Sequence, residues 1–165
     1  MTTGIPSVNS ISLCYYAGTL AILALFARYD AKHHKVRNRS LILFLPWCLA
    51  SIPVRVHAGL SPSLLAACLT ALLGFLAGGG LFLITAIATK GGIGGGDIKL
   101  VALLGLCYGM EQTATLVTIA CLIALIHVSD IAEKQGRMPK NIPFVPYLTA
   151  GCLIQTIILL YFWGG

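Results

Sequence analysis

Five acidic residues, Asp30, Asp97, Glu111, Asp130 and Glu133, are all that this chain offers for carboxylate chemistry. Two carboxylates that meet in a partly dry site cannot both ionise easily; they share a proton, one acting as base while the other stays acid. Such a pair can activate water and protonate a peptide carbonyl. Asp97 follows Gly94-Gly95-Gly96, a stretch of bare backbone that another chain, including a substrate, could approach closely. Asp30 ends an apolar run just before a basic stretch, and folding could bring it to Asp97. Taken singly, each has a plainer reading: Asp30 as a solvated partner of the basic cluster, Asp97 as a helix N-cap.

The elements that must carry these residues are membrane helices. Of 165 residues, 58% are hydrophobic and 10% charged, against roughly 45–50% and about 25% in a soluble domain. A span needs about 20 mostly apolar residues, so the chain has room for about six and none for a separate water-soluble domain. Six can be drawn, at about 11–28, 41–56, 62–89, 98–110, 113–129 and 145–163. Pro46 and Pro53 fall inside the second and are tolerable there. The fourth, at about 1.5 Å per residue, reaches only about 20 Å. Between it and the third lies Gly91-Gly92-Ile93-Gly94-Gly95-Gly96, where we expect an irregular, water-accessible dip, because unpaired backbone at membrane depth must be buried in protein or line a cavity. The expected fold is an all-α polytopic bundle of about six transmembrane helices, in one domain spanning 1–165.

Charge orients the drawing, since Lys and Arg are retained on the cytoplasmic side. Ten of the eleven, at 28, 32, 35, 37, 39, 90, 99, 134, 137 and 140, follow odd-numbered spans, and only Arg55 falls on the other side. Both termini are therefore expected outside, with the first apolar run retained as a span. Asp30, Asp97, Asp130 and Glu133 then lie at cytoplasmic ends, and Glu111 alone faces outward. The net charge of +6 is thereby explained without nucleic acid.

The remaining candidates have simpler uses. The six cysteines all sit in apolar runs, without metal or redox spacing, and read as small hydrophobes. No metal or cofactor is expected, because no His/Glu pair has helix-face spacing and the adjacent His33 and His34 are poorly placed to bind one ion. Asp130 lacks a glycine-rich approach and is expected to cap or to pair with a nearby base. Lys99 either meets the carboxylates or a substrate, or snorkels to the interface. The basic run 32–39 is first a topology anchor, and second a contact for anionic lipid or substrate.

These residues resemble the type IV prepilin peptidases, membrane aspartic proteases of the GxGD class. Gly94-Gly95-Gly96-Asp97-Ile98-Lys99-Leu100 is similar to the family's GxGDxKL signature. Tyr29-Asp30 with Val36-Arg37-Asn38-Arg39 resembles the first catalytic aspartate and its downstream Ile-Pro-Asn segment. The run from Ile142-Pro143-Phe144-Val145-Pro146 resembles the family's Pro-Phe-Gly-Pro segment that opens the last helix. Arg37 stands where the family usually has proline, and Val145 where it has glycine. The resemblance implies Asp30 and Asp97 as the catalytic pair, with Gly94, Gly96, Lys99, Asn38, Pro143 and Pro146 supporting them or the substrate. It implies cleavage of the basic leader of a prepilin or pseudopilin at the cytoplasmic face of the bacterial inner membrane, typically after a glycine, with the substrate's apolar helix in the bilayer. Bifunctional members carry paired CxxC motifs and methylate the new terminus; this chain resembles a short, peptidase-only form. Two other classes remain: a small transporter with cation-binding boundary acids, and a non-catalytic assembly protein.

Overall fold

Backbone surrounded by lipid must satisfy its own hydrogen bonds, which selects helices. The computed structural model describes residues 10–33, 36–90, 93–135 and 143–163, and these form α1 (Ser10–His33), α2 (Asn38–Leu49), α3 (Ser51–His57), α4 (Leu64–Ala88), α5 (Gly95–Tyr108), α6 (Met110–Gln135) and α7 (Val145–Trp163). No strand occurs among the described residues, so the expected all-α bundle is what forms. Among the described residues, four stretches are long and apolar enough to cross a membrane: Ile11–His33, Asn38–His57, Leu64–Ala88 and Met110–Lys134. A shorter apolar run occupies Val145–Ile158, and α5 has only 14 residues. Leucines and isoleucines line the outside, Leu43 at 79% exposure and Ile126 at 71%, as suits contact with acyl chains.

Two details differ from the sequence expectation. The second span is two helices, broken at Ala50. Pro53 has no N–H for the Leu49 carbonyl four residues earlier, so the ladder stops there, whereas Pro46 is carried within α2. The glycine break is also shorter than drawn, because Gly95 and Gly96 form the first turn of α5. Gly91 and Gly92 lie outside the described residues, as do His34, Lys35, Arg137, Lys140 and Ile142. The third span runs unbroken through Gly78-Gly79-Gly80.

The short α5 is the centre of the fold, with Leu100 to Gly105, Cys107 and Tyr108 buried or nearly so. It packs most extensively on α4, where glycines bring the backbones together. A side chain on Gly74 would collide with the Gly105 carbonyl, and one on Gly78 would stand 3.0 Å from the Val101 carbonyl. Lipid tails are as apolar as leucine, so close packing of this kind is what holds membrane helices together. At its far end α5 stops at Gly109, whose φ of 79° suits glycine alone. Ser51 and Arg55 of α3 then donate to the last-turn carbonyls of Leu106 (3.1 Å) and Cys107 (2.8 Å), which have no helical partner.

On the other flank, Tyr15 of α1 stacks on Trp47 of α2 at 5.4 Å, and the Trp47 indole donates to Thr19 at 3.0 Å. Helix α7 docks on α1 through Thr149, which donates to the Leu23 carbonyl at 3.3 Å. It docks on α6 at Gly151, where a Cβ would lie 2.8 Å from the Leu116 carbonyl. These packings carry the ends of α1 and α4 and the starts of α2, α5 and α7 to one end of the bundle.

Candidate active site

Asp30 lies one turn before the end of α1 and is 4% exposed. Its Oδ2 accepts a hydrogen bond from the Val145 amide at 3.2 Å. That amide is the first of α7, whose opening turn is set by the Phe144 carbonyl accepting from Tyr147 and Leu148. The first amides of a helix lack internal partners and carry the positive end of its dipole, so Asp30 sits where an anion is favoured. The next residue, Pro146, has no N–H to offer. Pro143 and Pro146 thus frame the turn that presents Val145, and Phe144 packs on Phe82 of α4 with ring centres 5.7 Å apart.

Asp97 is the third residue of α5. The expected N-cap role falls instead to Gly94, whose carbonyl accepts from the Asp97 amide at 3.0 Å. Gly94 has no side chain to contribute a cap, and Asp97 is left with its carboxyl turned back beside it. A Cβ at position 94 would stand 3.3 Å from Asp97 Oδ2. Burial, and secondly the charge of Asp30, push the Asp97 carboxyl up from 3.8 to about 6. The two carboxylates, brought from α1 and α5, are therefore within electrostatic reach of each other.

The glycine run is occupied partly by the chain itself. Gly96 faces Val36, with its Cβ position 2.8 Å from Val36 Cβ and 3.2 Å from the Val36 carbonyl oxygen. Gly95 is open, with nothing within 4 Å of a Cβ there, and a Cβ at Gly94 would meet only the Asp97 carboxyl. Two residues after Val36, Asn38 accepts from Lys99 Nζ at 3.1 Å, so Lys99 engages the start of α2. Asn38 and Lys99 stand at the mouth of an apolar groove of about 730 Å³ between α2, α4 and α5. Its wall includes Ile98, Gly79 and Gly80.

Sequence reasoning named Val36, Val145 and Tyr29 only as members of the matching segments and gave none of them a role at the site. The Tyr29 ring stacks on His33 at 4.2 Å and receives Arg37 at 5.7 Å, a cation–π contact that ties the end of α1 to the start of α2. Arg37 at the usual proline position was the available signal. Asp130 makes the predicted alternative contact, an ion pair with Lys134 at 2.7 Å on the surface of α6.

The Type IV leader peptidase family matches residues 17–129, a stretch that includes both carboxylates and covers more than half of the chain. The chain belongs to the type IV leader peptidase family. It is also similar to the prepilin leader peptidase/N-methyltransferase of Bacillus subtilis (strain 168), with 34% identity over 147 residues. That alignment takes in 88% of this chain and 54% of the relative, so the chain spans about half the length of the protein it matches. No solved structure matches it. Membership and the apolar helices together make it an integral membrane protein. The family match ends before α7, whose first amide nevertheless reaches Asp30.

Proposed function

We propose that this leader peptidase family member is an aspartic endopeptidase that removes the basic leader from prepilins or pseudopilins, with Asp30 and Asp97 as its catalytic pair. The observation that carries the reading is the pairing itself: a buried carboxylate on α1 and a second on α5 whose proton affinity the first raises. The Val145 amide suits an ionised Asp30, and burial suits a protonated Asp97. Asp30 therefore takes a proton from water as its oxygen attacks the scissile carbonyl, while Asp97 gives its proton to the carbonyl oxygen. Collapse of the tetrahedral intermediate breaks the C–N bond, the leaving amine takes the proton held by Asp30, and Asp97 recovers its own. The pair is restored with one proton between them.

The substrate's backbone enters beside Gly94 and Gly95, and its apolar helix lies along the groove that ends at Asn38 and Lys99. The site faces the cytoplasm in the bacterial inner membrane, a placement supported by the bias of Lys and Arg toward the Asp30 and Asp97 end. The activity is peptide cleavage without methyl transfer.

Cleavage of a co-expressed prepilin tests this directly. Asp30→Asn and Asp97→Asn each keep the side-chain shape but cannot share the proton, and each is expected to abolish processing with normal membrane insertion. Processing by either variant would overturn the pairing, and a product heavier by one methyl group would overturn the exclusion of methyl transfer. A transporter or assembly protein would show no cleavage in the wild type.

A further inference from the structure

At the end of the bundle away from Asp30 and Asp97 there is a second cavity, of about 470 Å³, that peptide cleavage does not use. It is lined by Arg55, Tyr16, Tyr108, Gln112 and Glu111, with Leu73 of α4 along one side. Arg55 is the one Lys or Arg residue assigned to this side of the membrane and is only 7% exposed. An ionisable side chain in a membrane-spanning segment is costly and calls for a partner or a function. Nη2 of Arg55 serves the Cys107 carbonyl, but Nε is buried without a hydrogen-bond partner. The Gln112 side-chain oxygen, in the same wall, is also buried and unpartnered. Turned over, that carboxamide presents N–H groups instead. The bare Gly109 leaves room for Nη1, which a Cβ there would approach to 2.9 Å.

The lining thus holds an under-used guanidinium at depth. Among the described residues no carboxylate stands within ion-pair distance of it. The acid of the wall, Glu111, is exposed. This order of charge, cation inside and anion outside, complements a ligand with an anion at its inner end and a cation at its outer end. The stacked rings of Tyr16 and Tyr108, 5.4 Å apart, are the flat apolar part of the wall. Beyond Leu73, the outer face of α4 continues with exposed Leu69, Leu72 and Leu76, a surface for acyl chains.

We propose that this cavity binds the headgroup of an ethanolamine phospholipid, with its phosphodiester on Arg55 and its primary ammonium at Glu111. The guanidinium fork suits a phosphate, the carboxylate suits a compact ammonium that can donate hydrogen bonds, and the apolar face suits the lipid tails. The site is independent of leader cleavage.

Native mass spectrometry of the detergent-purified chain, titrated with ethanolamine and glycerol phospholipids of identical acyl chains, tests the assignment. The wild type is expected to retain one ethanolamine lipid with about tenfold preference, the scale of one charge-assisted contact. Glu111→Gln, at an exposed position, is expected to lose that preference while still binding lipid. Arg55→Met is expected to lose both lipids and to keep prepilin cleavage. Equal retention of the two lipids by the wild type, or an unchanged preference in Glu111→Gln, would overturn the proposal even if Arg55→Met does not fold. Soluble glycerophosphoethanolamine binding as tightly as the lipid would overturn the lipid source.

Discussion

The Val145 amide donates to Asp30 Oδ2 at 3.2 Å, across 115 positions of sequence. The last helix thereby orients a carboxylate carried by the first, and the contact joins the beginning and the end of the chain at the site.

Proline is accepted at the first position of a helix, where the N–H has no internal partner. Val145→Pro should therefore leave α7 intact while removing the Val145 amide as a donor to Asp30. Prepilin cleavage is expected to slow by about ten- to a hundredfold, the scale of a lost hydrogen bond to a charged group, with a modest fall in thermal stability because Asp30 and Val145 are both buried. Single-turnover cleavage beside a melting curve checks both.

The pH profile follows from Asp97. The pair acts with one proton, and in the free enzyme that proton leaves as pH rises through about 6, so kcat/KM should fall on the alkaline side of that value. The same shift has a stability sign. A carboxyl raised from 3.8 to about 6 on folding favours the folded state when protonated, and this contribution is lost as pH rises through about 6. Thermal melts of the wild type should drop between pH 4 and pH 6 relative to Asp97→Asn, which has no such titration.

Gly95 and Gly96 make a matched pair. Alanine at 95 meets nothing within 4 Å and should be neutral or slightly stabilising, since alanine is the better helix former by about 1 kcal/mol. Alanine at 96 presses on Val36 and should cost about 1–3 kcal/mol as an overpacking change, moving Asp97 and lowering cleavage. Equal thermal stability of the two variants would contradict the contact.

Asp130→Asn removes an exposed pair with Lys134 whose side chains are 51% and 72% accessible. Such pairs contribute at most about 0.5 kcal/mol, so stability and prepilin cleavage should both stay near wild type. Loss of cleavage would reassign the catalytic pair.

Much of this was legible in the residues. Asp30 and Asp97 stood out because acidic side chains are scarce in so apolar a chain, and the structure brings their two carboxyls within electrostatic reach. Six apolar runs emerged because lipid imposes length and composition on each crossing. The break at Ala50 was less visible, since Pro46 and Pro53 look alike in sequence and only one of them ends a helix. The extent of the glycine break was misjudged because glycine is poor in helices on average, whereas here Gly96 packs on Val36 and the Gly94 carbonyl accepts from Asp97 and Ile98, which closes the first turn over Gly95 and Gly96. The Val145 contact could not be read at all, because a backbone amide leaves no trace in residue type.

Asp97 rides on α5, which is locked glycine to glycine against α4, while Asp30 rides on α1, which is packed against α7. On the proposed mechanism neither pair of helices is competent alone. A chain caught partway through insertion carries two inert carboxylates, one for each half. On that mechanism, activity waits for the last helix to dock against the first.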